Sequence, residues 1–378
     1  MTVLFVPKER APGERRVAAT PDAVRRLAGD VEVVLEAGAG QQAGTSDDDY
    51  VEAGAKIHDG PAPPDGTDVV VRVAPPTLDE VGRLPEGVTL LSLIAPHRNQ
   101  DSVRALAQRR VTTVAMELVP RISRAQAMDA LSSQASIAGY RAVIVAAHEA
   151  AKLFPLFMTA AGTIRPANVV VLGAGVAGLQ AVATARRLGA VVYVSDIREA
   201  AREEVASLGG KFIEVPDAED LTGEGGYAKE AGDDFLARQR AVLTEHLSSA
   251  HAVITTAQIP GRKAPELITA AMVEAMQPGS VVIDLAAADG GNCALTDAGG
   301  VVEHQGVRII PGQHLPSDMA PEASALYARN IAAFLGLLLD DHGALHLDLD
   351  DEVVAGALLT HDGEVTHPPT ATLLGGDA

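Results

Sequence analysis

Gly173-Ala174-Gly175-Val176-Ala177-Gly178 follows directly on the apolar run Ala167 to Leu172 and precedes the amphipathic stretch Leu179 to Leu188. That order confines the region to one construction: a buried strand, a tight turn and a helix. Gly173 permits the turn, Gly175 lets a pyrophosphate reach the backbone, and Gly178 lets helix and strand pack, while the helix N-terminus favours phosphate charge. A glycine-rich turn by itself is common. Here, however, Asp196 closes the next apolar run, Val191 to Ser195, about 20 residues beyond the last glycine, where a carboxylate accepts from ribose hydroxyls. The same charge repels a 2′-phosphate and so favours NAD(H) over NADP(H), although Arg198, two residues on, softens that preference.

At 378 residues the chain exceeds the usual size of one domain. From Val3 to Gly139 the apolar runs Val3 to Val6, Val31 to Leu35, Val69 to Val73 and Val88 to Ile94 alternate with helical patterns such as Asp22 to Leu27, which predicts one α/β unit. Helical segments from Ser123 through Gln134 and from Gly139-Tyr140 to about Phe154 link it to a second unit. There the runs from Ala167, Val191, Ala252 and Val281 are short and wholly apolar, as suits parallel strands buried on both faces. A helical pattern from Pro321 to Leu339, the run Leu345 to Asp350 and Val365-Thr366-His367 lead back to the first unit. The expected fold is α/β, with two Rossmann-like, doubly wound parallel-sheet domains joined by long linking helices. The first domain is expected to be discontinuous, 1–130 and 318–378, around a dinucleotide-binding domain at 131–317.

A formal net charge of −20 argues against nucleic acid or an anionic membrane surface as partner, because both need clustered Lys and Arg. The single Cys293 excludes an intrachain disulfide framework, and Lys8, Glu9 and Arg10 interrupt any signal-peptide core, so the chain reads as cytoplasmic. Cys293 has no histidine near it in sequence to activate it and reads as a packed residue. The nearly apolar stretch Ala167 to Ala185 is broken by the patterned glycines and Gln180, so no membrane span is expected. His342 and His346 have i, i+4 spacing, but Gly343 between them and the nearby acids argue for a loop entering a strand at Leu345 rather than zinc; no metal is expected.

Pro120-Arg121-Ile122-Ser123-Arg124-Ala125-Gln126, Asp129, Leu131-Ser132-Ser133 and Ala138-Gly139-Tyr140-Arg141 resemble the nicotinamide-contacting loop and linking helix of NAD(P) transhydrogenase α subunits. Gly225 to Glu230, Thr255 to Gly261, Asp284 to Ala287 and Gly290 to Cys293 agree, so the resemblance covers nearly the whole chain. It implies that Arg121, Ile122, Ser123, Asp129 and Ser132 hold the nicotinamide end of NAD(H) and that Gln126 reaches toward NADP(H) on a partner. Ala174, Gly175 and Val176 would meet the pyrophosphate, Asp196, Ile197 and Arg198 the adenosine side, and Gln239 and Gln258 other parts of the nucleotide. Gln258 departs from the apolar residue the family often carries there. Gly226 and Tyr227 match a mobile loop that closes over the nucleotide, though composition alone allows an ordinary surface turn.

The activity so implied is that of a proton-translocating, Re/Si-specific transhydrogenase, in which hydride passes from NADH here to NADP⁺ on another subunit. The resemblance further implies a homodimer, held to the cell membrane by membrane-embedded partners, with the NADP-binding subunit a separate polypeptide. Hydride transfer between nicotinamides moves no proton, so positioning and water exclusion are the protein's task and no acid-base group is required.

Alanine dehydrogenase shares this architecture and is the alternative. Such an enzyme needs a cation for the substrate carboxylate and a proton-transfer group. Arg16 matches its carboxylate-binding arginine, in a block common to both families. Its lysine is absent: no Lys lies between Lys56 and Lys152, and Ala74 stands in its place beside Arg72. His97 follows Pro96 rather than the strand end expected of the catalytic histidine, and Ala288, with Asp289 displaced by one, occupies the late carboxylate's position. A different substrate could still use Arg72, His97 or Asp289. A non-catalytic NAD-binding regulatory subunit is the third reading, against which Arg121, Gln126, Asp129, Ser132 and Tyr227 speak.

Overall fold

The computed structural model describes residues 1–216, 233–259 and 261–375. By packing, these divide into two compact units, Met1–Gln134 with Ser317–Ala378, and Ala135–Pro316. Both are α/β with a doubly wound, largely parallel sheet.

The first unit holds β1 (Thr2–Val6), β2 (Val31–Glu36), β3 (Lys56–His58), β4 (Val69–Val71), β5 (Thr89–Ser92) and β6 (Thr112–Ala115), with β16 (Leu358–His361) and β17 (Glu364–Val365) from the C-terminal stretch. Their order across the sheet is β17-β16-β6-β5-β4-β1-β2-β3. β1 pairs in parallel with both β2 and β4, so the winding reverses between β1 and β4. Side chains alternate across the sheet: Leu4, Val6, Val69 and Val71 enter one core layer and Phe5 and Val70 the other. β6 begins on Thr112-Thr113, polar residues that hide its character in the sequence. The hydroxyls of Thr113 and Thr360 lie 2.7 Å apart, and Thr360 donates to Val111 O at 2.8 Å, which ties antiparallel β16 to the edge.

The second unit carries β9 (Asn168–Leu172), β10 (Val191–Ser195), β11 (Lys211–Phe212), β12 (Ala252–Thr255), β13 (Val281–Asp284), β14 (Val302–His304) and β15 (Val307–Pro311), in the order β11-β10-β9-β12-β13-β15-β14. Every pair is parallel except β14 with β15. Here the winding reverses between β9 and β12, and the crevice beyond the carboxyl ends of those strands is where such sheets bind ligands. A separate hairpin, β7 (Phe157–Thr159) with β8 (Gly162–Ile164), is exposed along its whole length.

Three local expectations give way. In place of two helices around Ser123–Gln134 and Gly139–Phe154 there is a 3-10 turn, Ser123–Met128, and one α-helix, Ala130–Glu149. Gly139 does not interrupt that helix; a Cβ there would overlap Ala177 O, so its glycine serves close helix packing. Leu345 to Asp350 forms no strand, only an isolated bridge from Leu345 to Leu339. The long helix near the C-terminus, Ala320–Leu335, stops short of Leu339. No described helix is long and apolar enough to cross a membrane.

Candidate functional site

In the second unit the site is built where β9 turns into the helix Val176–Arg187. Gly173 sits at φ +96°, a conformation that L side chains rarely adopt, and a Cβ on it would lie 2.6 Å from Thr256 Oγ1. A Cβ on Gly178 would overlap Gly173 O. Around Gly175, by contrast, a Cβ would find nothing within 4 Å. Gly175 is the helix N-cap and offers no side chain, so the first-turn amides face outward beside exposed Gly175 and Val176. The turn thus combines open space, unsatisfied donors and a positive helix end, and so fits a pyrophosphate. Ala174 is buried, with its amide turned to Asp196.

Asp196 follows β10. Its Oδ2 accepts from Ala174 N at 2.6 Å and Arg198 Nη2 at 3.0 Å, and its Oδ1 from Arg198 N at 2.9 Å and Nε at 3.0 Å. Two carboxylate oxygens offer about four acceptor positions, so all are in use. A ribose diol would therefore bond Asp196 by displacing part of the Arg198 guanidinium, whose pKa that hydrogen bonding raises. Ile197 lies between them, half-buried.

Two anchors behind this crevice carry no role in the sequence reading. Thr256, after β12, donates to Gly173 O at 3.0 Å and so locks the phosphate turn to the neighbouring strand. Asp284, at the end of β13 and wholly buried, accepts from Thr255 Oγ1, Ala286 N, Asn292 N, Cys293 N and Thr296 Oγ1 at 2.6–3.1 Å. Asn292, placed by Asp284, bonds Ala257 on both sides, Oδ1 to its amide at 3.1 Å and Nδ2 to its carbonyl at 2.9 Å. Gln258, next in line, is exposed and donates to Leu285 O at 3.4 Å, whereas Gln239 is buried on the helix Asp233–Ser248. Cys293 is 2% exposed, and burial pushes its thiol up to about 11, so it packs rather than reacts.

In the first unit one short segment gathers Arg121, Ile122, Ser123, Gln126, Asp129 and Ser132. Arg121, Ser123 and Gln126 are exposed; Ile122 packs against the core. Asp129 immediately precedes the helix Ala130–Glu149, and its carboxylate accepts from Ser132 N at 2.8 Å and Ser132 Oγ at 2.6 Å. It therefore caps that helix and fixes Ser132. Gly226 and Tyr227 lie outside the described residues.

Two cations of the first unit, Arg16 and Arg72, are already engaged. Arg16 donates through Nε to Glu14 Oε1 at 2.7 Å, through Nη2 to Oε2 at 2.6 Å, and through Nη1 to Gln134 Oε1 at 2.9 Å. Glu14 also accepts from Ser317 Oγ at 2.7 Å. Burial alone would raise the Glu14 carboxyl, but the Arg16 hydrogen bonds and charge outweigh it and hold the group below the usual range. Arg72 is buried between Glu9 at 3.2 Å and Glu80 at 2.9 Å. Among the described residues no group of His, Cys, Asp and Glu is arranged to hold a metal.

The family model for the alanine dehydrogenase/PNT N-terminal domain matches residues 5–138, and that for the C-terminal domain residues 142–368. The chain is 49% identical over 375 residues to the first of the polypeptides that make up NAD(P) transhydrogenase subunit alpha in Rhodospirillum rubrum, covering 97% of this chain and 98% of that one. A transhydrogenase structure from Sinorhizobium meliloti superimposes with a TM-score of 0.87 at 44% identity, covering 96% and 99% of the two chains. An L-alanine dehydrogenase structure gives 0.79 at 25% identity, with 99% of each covered.

Proposed function

The chain belongs to the alanine dehydrogenase/PNT family, on its NAD(P) transhydrogenase subunit α branch, and from that premise we propose that it binds NAD(H) and exchanges hydride directly with NADP(H) held by a partner subunit. In that exchange the C4–H bond of NADH breaks with its electron pair as the same bond forms at C4 of NADP⁺, and no proton is transferred. The first-turn amides of the helix Val176–Arg187 receive the pyrophosphate, and Asp196 the ribose. Arg121, Ile122, Ser123, Asp129 and Ser132 act on the nicotinamide end, and Gln126 points toward the partner's nucleotide.

The observation that carries this choice over an amino-acid dehydrogenase is the engagement of Arg16, whose Nε and Nη2 go to Glu14 and whose Nη1 goes to Gln134. A guanidinium whose fork already grips an internal carboxylate cannot also bind a 2-oxo acid without breaking a partly buried pair. Arg72, at 3% exposure and held by two glutamates, offers no substitute.

The partners in this reading are an NADP-binding subunit and membrane-embedded subunits that couple the reaction to proton flow, which would place the chain on the cytoplasmic side of the cell membrane. A homodimer is part of the same proposal. It draws support from β7–β8, where Phe157 and Met158 are 49% and 75% exposed, and from Leu156 just before it, 54% exposed. A lone two-stranded hairpin is marginal in water, and clustered apolar exposure marks an interface. Sedimentation velocity should return a dimer, shifted toward monomer by Met158→Asp; a monomer at micromolar concentration contradicts that part.

The experiment for the function mixes the purified chain, NADH and an NADP analogue, with and without a transhydrogenase NADP-binding subunit, beside a screen of 2-oxo acids with ammonium. Transfer that depends on the subunit supports the reading. NADH oxidation by a 2-oxo acid without it would return the alanine-type dehydrogenase.

A further inference from the structure

The segment bearing Arg121 and Gln126 is a 3-10 helix of 6 residues, Ser123–Met128. Runs of that kind beyond 3–4 residues are uncommon because their hydrogen bonds are poorly aligned, so this one needs support from outside itself. With three residues to the turn, its side chains fall into three rows. Ala125 and Met128 form the buried row, 1% and 8% exposed, and pack into the first unit's core. Ser123 and Gln126 form one exposed row, and Arg124 and Ala127 another.

The third row, Arg124 and Ala127, is tied to the C-terminal part of the same unit. Arg124 grips Asp351 with a two-pronged pair, Nη1 to Oδ2 and Nη2 to Oδ1, both 2.8 Å. Asp351 is itself fixed as the N-cap of the helix Glu352–Ala357, accepting from Val353 N at 2.8 Å and Val354 N at 3.2 Å. Ala127 O accepts from Asn330 Nδ2 at 2.8 Å, and Asn330, 6% exposed on the helix Ala320–Leu335, takes a hydrogen bond from Ser133 Oγ at 2.7 Å. At the head of the segment Pro120 lies so close to Gly356 that a Cβ on Gly356 would fall 2.5 Å from Pro120 Cγ. All three ties come from the far end of the sequence, on two helices of the C-terminal stretch.

We propose that this stretch is a positioning strap: Arg124–Asp351, Asn330–Ala127 and Gly356–Pro120 set the rotation of the 3-10 helix and thereby aim Arg121, Ser123 and Gln126 outward. Arg124, Asn330 and Asp351 touch no reacting atom; they act through the segment they hold. An exposed ion pair adds little to stability, so the consequence belongs to geometry. The inference rests on the hydride-transfer reading, because only there does the aim of Gln126 matter to a rate.

The test uses the full chain with Arg124→Gln, Asn330→Ala and Arg124→Lys, and reads three quantities. Single-turnover transfer to a transhydrogenase NADP-binding subunit should fall about tenfold to a hundredfold in the first two variants, the usual consequence of misplacing reacting groups by about 1 Å. The Kd for NADH, followed by its fluorescence, should stay within about threefold, since the phosphate turn of the second unit is untouched. Amide hydrogen exchange should quicken over Ile122–Asp129 and nowhere else. Arg124→Lys, which keeps the charge but not the two-pronged geometry, should recover only part of the rate. Unchanged transfer, or transfer and affinity falling together with faster exchange throughout the chain, overturns the strap. If the wild-type chain transfers nothing, the hydride-transfer reading fails by itself, while exchange over Ile122–Asp129 still decides whether the strap exists.

Discussion

Gly178→Ala should cost the second unit on the order of 3 kcal/mol, while Gly175→Ala, three residues away in the same turn, should leave stability unchanged and weaken NADH binding. The difference follows from where each added methyl would go. At Gly178 it overlaps the carbonyl oxygen of Gly173 and comes within 3.2 Å of Thr256 Oγ1, so the helix Val176–Arg187 must lift from β9. For a unit of this size such a loss lowers Tm by roughly 6–12 °C. At Gly175 the methyl meets no protein atom within 4 Å. It enters the space a pyrophosphate would use and keeps it from the helix amides. Losing one or two charge-assisted hydrogen bonds there costs about 1.5–3 kcal/mol, roughly a tenfold to hundredfold rise in the Kd for NADH. Thermal melting with and without NADH separates the two variants. Equal melting temperatures and equal affinities would mean that the turn is not the nucleotide's seat.

Asp284→Asn should have the larger effect of any single change behind the site. The replaced carboxylate accepts from three backbone amides and two hydroxyls without contact with water. A side-chain amide must point its NH₂ at one of those donor sets, leaving buried donors facing each other at about 1–3 kcal/mol apiece. A loss of at least about 3 kcal/mol is expected, from a chemical change of one atom. It should not stop at stability. Asn292 would lose its placement, and with it the pair of hydrogen bonds to Ala257, next to the Thr256 that ties the glycine turn to its neighbouring strand. Thr296→Val, which removes one hydroxyl donor and leaves the carboxylate, should cost only about 1 kcal/mol. Urea unfolding of the two variants, with NADH titration of whatever remains folded, checks the ranking; equal costs would contradict a hub at Asp284.

The strand, tight turn and helix around Gly173–Gly178 were legible because glycine spacing and a buried strand are local. The doubly wound architecture was legible for the same reason: β9, β10, β12 and β13 are short apolar runs whose burial on both faces leaves no alternation to mistake. β6 escaped because it opens on Thr112 and Thr113, and the hydroxyl of Thr113 is satisfied across the sheet by Thr360, which no pattern of apolar residues reveals. Gly139 misled because a glycine that permits close helix packing looks the same in sequence as one that ends a helix. Arg16 stands two residues from Glu14, yet spacing alone does not say that the guanidinium folds back onto that carboxylate. Arg124 and Asp351 are separated by most of the chain, and only the closing of the C-terminal stretch onto the first sheet brings them together. Asp196 was legible as a carboxylate at the end of a strand, but not that Arg198 already occupies it.

The central claim is that hydride passes directly from NAD(H) on this chain to NADP(H) on another subunit. Its most direct test is a single turnover of NADH deuterated at nicotinamide C4, mixed with this chain and with an NADP-binding subunit loaded with NADP⁺, in ordinary water. Direct transfer predicts that the deuterium appears at C4 of the reduced NADP and that none is lost to solvent. Reduced NADP carrying hydrogen from water, or deuterium released into it, would contradict it.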